Sequence, residues 1–171
     1  MSKRDLKKYV SELSKTQLEE QFLELYDKFS EVKTYYNFVF NPNENNLLKE
    51  AKLKISNEFY PLSSRRPKMR RSTSQKIVKH YISLGVDSFI VADILFYSIE
   101  IAQSFTQEKP IKQEAFYKSM LNTFEQAISF TIEKGIFYDF KNRVEAIVAE
   151  TTHQKWLNQN QFESILKRFD Y

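Results

Sequence analysis

The sequence contains no cysteine, which excludes disulfide bonds, thiolate metal sites and a cysteine nucleophile. Glycine occurs only twice in 171 residues, at Gly85 and Gly135, against a usual share of about 7%. Such scarcity argues against the glycine-rich turns of dinucleotide fingerprints, phosphate loops and hairpin-rich sheets. Neither sign of charge dominates, because 26 Lys and Arg face 22 Asp and Glu. The net charge of +4 is too small to dictate one class of partner.

The chain also lacks an apolar stretch after its basic start at residues 3–8, so we expect no secretory signal. The most apolar window, residues 86–105, has the length of a membrane span but contains Asp87, Asp93 and Glu100. A charge at the centre of a bilayer costs about 2.5–3.5 kcal/mol on insertion scales. We therefore predict a buried helix in a cytoplasmic protein that has no membrane partner.

Apolar residues, 42% of the chain, recur with helical spacing in nearly every segment, and none shows the alternation of a strand. This pattern predicts an all-α fold. We expect a single helical domain over residues 1–171, with about seven or eight helices in a bundle or a short array. The expected helices cover approximately residues 6–13, 14–40, 44–59, 74–84, 88–107, 112–134, 139–150 and 165–169.

The second predicted helix is the longest regular pattern in the chain. Ser14 and Gln17 have the spacing of a capping box at its start. Its apolar residues are then separated alternately by four and three positions, as in a coiled-coil seam. Such a seam requires another long helix lying beside it. The seam consists of Leu18, Phe22, Leu25, Phe29, Val32, Tyr36 and Val39.

Four stretches of the sequence, residues 3–9, 35–42, 70–76 and 99–103, resemble a family of uncharacterised bacterial proteins found chiefly in Bacteroidetes. The resemblance extends over most of the chain. It implies a bacterial cytoplasmic protein, and it brings no activity, cofactor or site residue with it.

The positive charge of the protein is concentrated in one segment. Residues 59–86 contain no acid, whereas the rest of the chain has 19 Lys and Arg against 22 Asp and Glu. We predict that this segment binds an anion, either a nucleic-acid backbone or an acidic protein. A solvated loop whose arginines pair with acids of the same domain is the alternative. The candidate residues are Arg65, Arg66, Lys68, Arg70, Arg71, Lys76, Lys79 and His80.

A narrow polar stripe crosses the most apolar helix. Asp93 and Glu100 are seven residues apart and therefore share a face, with Tyr97 between them. A buried carboxylate requires a partner or its pKa rises. The stripe predicts a small polar site, with Arg70 or Arg71 folding over it. The alternatives are a structural ion pair that orients the basic loop and a solvent-facing helix edge.

Metal and catalytic motifs are weak. His80 and His153 are the only histidines, and one Glu-x-x-His, Glu150 to His153, falls short of the two that a di-iron bundle needs. A helix-turn-helix around Gly85 is disfavoured, because its second helix would present apolar residues to the bases. We predict no metal and no cofactor, and we favour a binding protein over an enzyme.

Aromatic residues make up 15% of the chain, and most lie at core spacing. Residues 35–40 differ, since they are apolar on more than one helix face and could form an exposed contact patch. The first functional hypothesis is a binding module that uses the basic segment. The alternatives are a structural or protein-interaction module that uses residues 35–40, and an enzyme with a site near Asp93 and Glu100. The oligomeric state does not follow from the sequence.

Overall fold

A computed structural model describes residues 2–63 and 65–169. Within them the chain forms helices and no strand, so the all-α prediction is confirmed. The helices fall into two compact units, Met1–Asn43 and Glu44–Tyr171. A single domain over residues 1–171 stays a prediction. The nine helices in this part of the chain are α1 (Lys3–Ser11), α2 (Lys15–Lys28), α3 (Ser30–Phe40), α4 (Glu44–Phe59), α5 (Arg71–Leu84), α6 (Ser88–Glu108), α7 (Glu114–Glu133), α8 (Phe137–His153) and α9 (Gln159–Phe169).

The first unit contains α1, α2 and α3. The predicted capping box is present, because the Ser14 side chain accepts the Gln17 amide and the Gln17 side chain accepts the Ser14 amide. The prediction of one continuous helix over residues 14–40 is wrong. Phe29 has extended backbone angles, φ −118° and ψ 115°, and separates α2 from α3.

The break at Phe29 lets the apolar seam pack on itself. The rings of Phe22 and Tyr36 are 4.9 Å apart, edge to face, and the Tyr26 hydroxyl donates to the side-chain oxygen of Asn37. In one straight helix, Phe22 and Tyr36 would be separated by about 21 Å. The partner helix that the seam requires is therefore α3 itself.

The second unit is organised around α6, which packs against α4, α5, α7 and α8. Eleven of its 21 residues are buried. Among the described helices, α6 is long and apolar enough to cross a membrane, but 61% of that window is buried inside the protein, as in a core helix. The fully buried large side chains of this unit include Phe124 of α7, Val144 of α8 and Phe162 of α9.

The two glycines end helices, as predicted. Gly85 has φ 78° and Gly135 has φ 71°, left-handed conformations that a side chain disfavours. Several predicted helix starts are wrong, and the largest difference is in the last helix, which begins at Gln159 instead of residue 165. The fourth predicted helix begins at Arg71 instead of residue 74, and Asp139, the expected cap of the seventh, lies inside the first turn of a helix that begins at Phe137.

The fold-back at Phe29 can be measured by a distance between two spin labels. The chain has no native cysteine, so Glu20→Cys together with Asn41→Cys places labels only at these sites. We expect a distance below about 20 Å, because paired helices lie about 8–10 Å apart. The labelled protein is diluted with unlabelled protein so that only distances within one chain are read. A distance near 32 Å, the span of one continuous helix, would contradict the hairpin.

Candidate binding site

The basic segment is anchored to the end of α4 by Glu58. The Glu58 backbone carbonyl accepts the amides of Lys68 and Met69 at 2.9 and 3.0 Å. Its carboxylate accepts two hydrogen bonds from the Arg70 guanidinium, at 3.0 and 2.7 Å, and one from the Thr73 hydroxyl at 2.8 Å. Residues 68–73 therefore have a fixed course, which includes a left-handed residue at Met69 with φ 50°.

The environment of Glu58 stabilises its charged form. The hydrogen bond from Arg70 lowers the pKa of this carboxyl below its usual range, although burial opposes the shift. The same contact raises the pKa of the Arg70 guanidinium. Arg70 is thus committed to a contact within the protein, although its side chain is about half exposed.

Arg71 is also committed to a contact within the protein. It lies in the first turn of α5, and its guanidinium donates to the Thr123 hydroxyl at 2.8 Å and to the Gln126 amide oxygen at 3.1 Å, both on α7. Burial lowers the pKa of the Arg71 side chain. The prediction that Arg70 or Arg71 folds over Asp93 and Glu100 is wrong, since Glu58 and α7 hold these two arginines.

The remaining loop cations point to solvent. Arg65, Arg66 and Lys68 are exposed and form no ion pair or side-chain hydrogen bond with any residue in the described ranges. Together with Leu62, which is 89% exposed, they line one open depression of about 480 Å³ beside Glu58. We call these four residues, Leu62, Arg65, Arg66 and Lys68, the basic rim.

The exposed face of α5 carries the other candidate anion-binding residues. Lys76, Lys79 and His80 are exposed, and their spacing places them on one side of the helix. The buried positions of α5 are Ser74, Val78, Tyr81 and Leu84, whereas Ile77, expected to face inward, is only partly covered. Of the candidate residues, Arg70 and Arg71 are therefore engaged in contacts within the protein, and the others form an exposed basic surface.

The polar stripe on α6 forms a network with α4 and α8. The Arg143 guanidinium donates to both carboxylate oxygens of Glu100, at 2.5 and 2.8 Å, and to an Asp93 oxygen at 2.7 Å. The Lys52 ammonium lies 2.7 Å from the other Asp93 oxygen and 5.1 Å from the centre of the Tyr97 ring. The stripe therefore forms a structural ion pair, but its cations belong to α4 and α8 and not to the basic loop, which it was expected to orient.

Burial and charge act in opposite directions on Arg143. Desolvation lowers the pKa of its guanidinium, but the hydrogen bonds and charges of Glu100 and Asp93 more than compensate, so that the pKa is raised overall. Tyr97 completes the network by sharing a hydrogen bond with the Ser56 hydroxyl of α4.

Sequence reasoning missed Glu58, Lys52 and Arg143. Glu58 had a usable signal, because it is the last acid before the acid-free window. Nothing in the sequence distinguishes Arg143 or Lys52 from the other cations, because contacts over 40 to 50 residues depend on how the helices pack.

Two further candidates differ in character from the basic rim. An open depression of about 750 Å³ lies between α7 and the start of α9. Its lining mixes acidic, basic and amide side chains, including Glu114, Lys118 and Asn158, so that no one sign of charge dominates it. The His153 ring lies 3.8 Å from a Glu150 oxygen. Within residues 2–63 and 65–169, no three acid or histidine side chains come together as they would around a metal ion.

Removal of the Glu58 carboxylate should destabilise the protein mainly near neutral pH. Because the folded pKa of Glu58 is lowered, its contribution is present above the unfolded value of about 4.3 and is lost as pH falls through the folded pKa. We expect Glu58→Gln to lower the free energy of unfolding by about 1–3 kcal/mol at pH 7, with the difference shrinking below about pH 4. Urea unfolding across this pH range measures it.

The matched control for this change is Glu50→Gln on the same helix, which removes an exposed pair with Lys54. Its effect should stay below about 0.5 kcal/mol at every pH. An equal loss in Glu50→Gln and Glu58→Gln would contradict the anchoring role of Glu58.

Arg143→Ala should destabilise the second unit by about 1–3 kcal/mol, because it leaves Glu100 without its bidentate partner in a half-buried position. Arg143→Lys should recover only part of the loss, since an ammonium cannot form the two-pronged contact. The control is Glu145→Ala, which breaks an exposed pair with Lys141 on the same helix. Denaturant unfolding compares the three variants, and an unchanged midpoint for Arg143→Ala would refute the network's structural role.

A model of a family of unknown function, DUF6155, matches residues 1–170. The chain therefore belongs to that family. The resemblance to an uncharacterised family is confirmed, whereas the bacterial origin stays a prediction. No curated protein and no solved structure matches the chain significantly.

Proposed function

We propose that this protein is a non-enzymatic binding module whose basic rim holds an acidic segment of another protein. One observation carries the proposal. Leu62 is 89% exposed and lines the same depression as three cations, Arg65, Arg66 and Lys68, that have no acidic partner in the described chain.

The rim has the composition of a small protein interface. Such interfaces combine an apolar anchor with a polar, solvent-accessible margin, and arginine is enriched in them. Leu62 supplies an apolar surface, and the three cations around it attract and orient carboxylates. The exposed face of α5, with Lys76, Lys79 and His80, extends the positive surface along the chain.

One feature favours an acidic protein over a nucleic acid. Proteins that hold single strands stack bases on exposed aromatic rings, but the aromatic residue next to the rim, Tyr60, is half-buried and donates its hydroxyl to Glu108.

The enzyme alternative near Asp93 and Glu100 has less support. Arg143 and Lys52 hold both carboxylates, so neither is placed to accept a proton from a substrate. Tyr97 is likewise engaged by Ser56. This polar stripe acts best as a connection between helices.

The test is a binding titration by fluorescence anisotropy. The probe is a short labelled peptide of Asp and Glu residues around a single leucine, and the comparison probes are the same peptide with glycine for leucine and a short DNA strand. We expect the leucine peptide to bind best at low salt. Replacing Arg65, Arg66 and Lys68 together by alanine should weaken it between about threefold and a hundredfold, since exposed charge pairs contribute about 0.2–1 kcal/mol each.

The matched control removes three exposed lysines that do not line the depression, Lys112, Lys118 and Lys167. It should bind the peptide nearly as well as the unchanged protein. Tighter binding of the DNA strand than of either peptide would replace the acidic protein by a nucleic acid, and equal losses in the two triple variants would refute the basic rim.

A further inference from the structure

The first unit cannot bury its own apolar residues. No residue of α1, α2 or α3 is buried, although the unit spans 43 residues. Chains of this size rarely fold alone unless a metal, a disulfide or another subunit completes their core. The unit has no cysteine, and the described residues form no metal cluster, so a surface outside the unit is the remaining means of completion.

The exposed apolar residues of α2 and α3 form a continuous face. Folding at Phe29 covers Val32 and Tyr36 only in part and leaves the other seam residues between 36% and 46% exposed. Seam positions with alternating spacings of three and four pack against another helix pair. The exposed members of this face are Leu18, Phe22, Leu25, Phe29 and Val39, with Tyr35 and Phe40 at its edge.

We propose that this face binds the same face of a second copy of the chain, so that two α2–α3 hairpins form a four-helix bundle. The area is adequate. At roughly 200 Å² for each large side chain, the exposed fractions of these seven residues amount to about 700 Å² per copy. A standard interface buries about 800 Å² on each partner, and the polar margin of the face supplies the difference.

The charges of the unit fit a copy of itself. Residues 1–43 contain seven Lys and Arg and seven Asp and Glu, so two units do not repel each other. The acids Glu20, Glu24 and Asp27 lie on the side of α2 opposite the seam. A strongly charged partner would leave the neutral, aromatic edge formed by Tyr35 and Phe40 without a matching surface.

The seam is also complementary to itself in reverse. When two copies of α2 run antiparallel, Phe22 of one copy comes level with Leu25 of the second, and Leu18 comes level with Phe29. Each layer then pairs an aromatic with an aliphatic side chain, which fills space better than two large rings. A hollow of about 460 Å³ beside the seam, lined by Leu18, Phe22 and Leu23, leaves room for a side chain of the second copy.

Analytical ultracentrifugation of the full chain tests the proposal. We expect a dimer at micromolar concentrations, and a monomer for Leu18→Glu combined with Leu25→Glu. Because the buried core lies in the second unit, the monomeric variant should keep most of the helical content measured by circular dichroism, with the loss confined to the first unit. Val39→Glu on α3 should also weaken the dimer, at least tenfold in dissociation constant. The control is Leu53→Glu, an exposed leucine on α4, which should remain a dimer.

Single spin labels test the antiparallel register. The twofold axis passes between residues 23 and 24, so labels on Glu24→Cys should lie closer to each other across the dimer than labels on Thr16→Cys. A parallel pair would give similar distances at both sites.

Three results would overturn the proposal. The first is an unchanged protein that stays monomeric up to about 100 µM, a concentration far above the dissociation constants of standard interfaces. Hydrogen exchange would then show whether the chain's own second unit protects residues 18–25. The second is a dimer that persists in the double leucine variant, and the third is equal label distances at residues 16 and 24.

Discussion

The burial of α6 is the constraint on which the second unit depends. This helix is apolar on nearly all sides, so it must be surrounded, and α4, α5, α7 and α8 surround it. The few polar groups of α6 then restrict the orientations that those helices can adopt around it. Asp93 and Glu100 require cations, which Lys52 of α4 and Arg143 of α8 provide. The buried Gln103 donates to the Ile147 carbonyl of α8. Apolar burial brings the helices together, and the cost of unpaired polar groups selects one arrangement.

The same rule at the end of α4 explains why the basic segment is only partly available. Glu58 is 8% exposed and needs donors, and Arg70, Thr73 and the loop amides supply them. These hydrogen bonds hold residues 68–70 in place and engage the Arg70 side chain. The Arg71 guanidinium donates to two side chains of α7. The remaining cations, Arg65, Arg66 and Lys68, form no ion pair with any of the described residues. Lys68 lies beside the anchored residues Met69 and Arg70, which would reduce the ordering cost of the binding we propose.

Local patterns made the helices predictable, because periodicity, caps and glycine stops act within a few residues. The range Glu44–Phe59 and the cap roles of Gly85 and Gly135 follow from such patterns. The break at Phe29 does not, since no proline or glycine marks it and the seam continues unbroken through it. Whether the helix breaks at Phe29 depends on whether a distant helix or the chain's own α3 covers the seam. The exposed cations of the rim were predictable from charge alone, whereas the partners of Arg70, Arg71, Asp93 and Glu100 depend on contacts between distant helices.

The two surfaces that the fold leaves open differ in physical character, and that difference matters for function. An exposed charged rim forms contacts that salt screens strongly and that are individually weak. An apolar face of several hundred Å² is insensitive to salt and long-lived by comparison. If the face joins two copies, each particle carries two rims, and a partner with two acidic segments meets the second rim at a high effective concentration. Weak, reversible charge contacts then add up to useful affinity without a deep pocket, and neither surface needs the catalytic motifs that the sequence lacks.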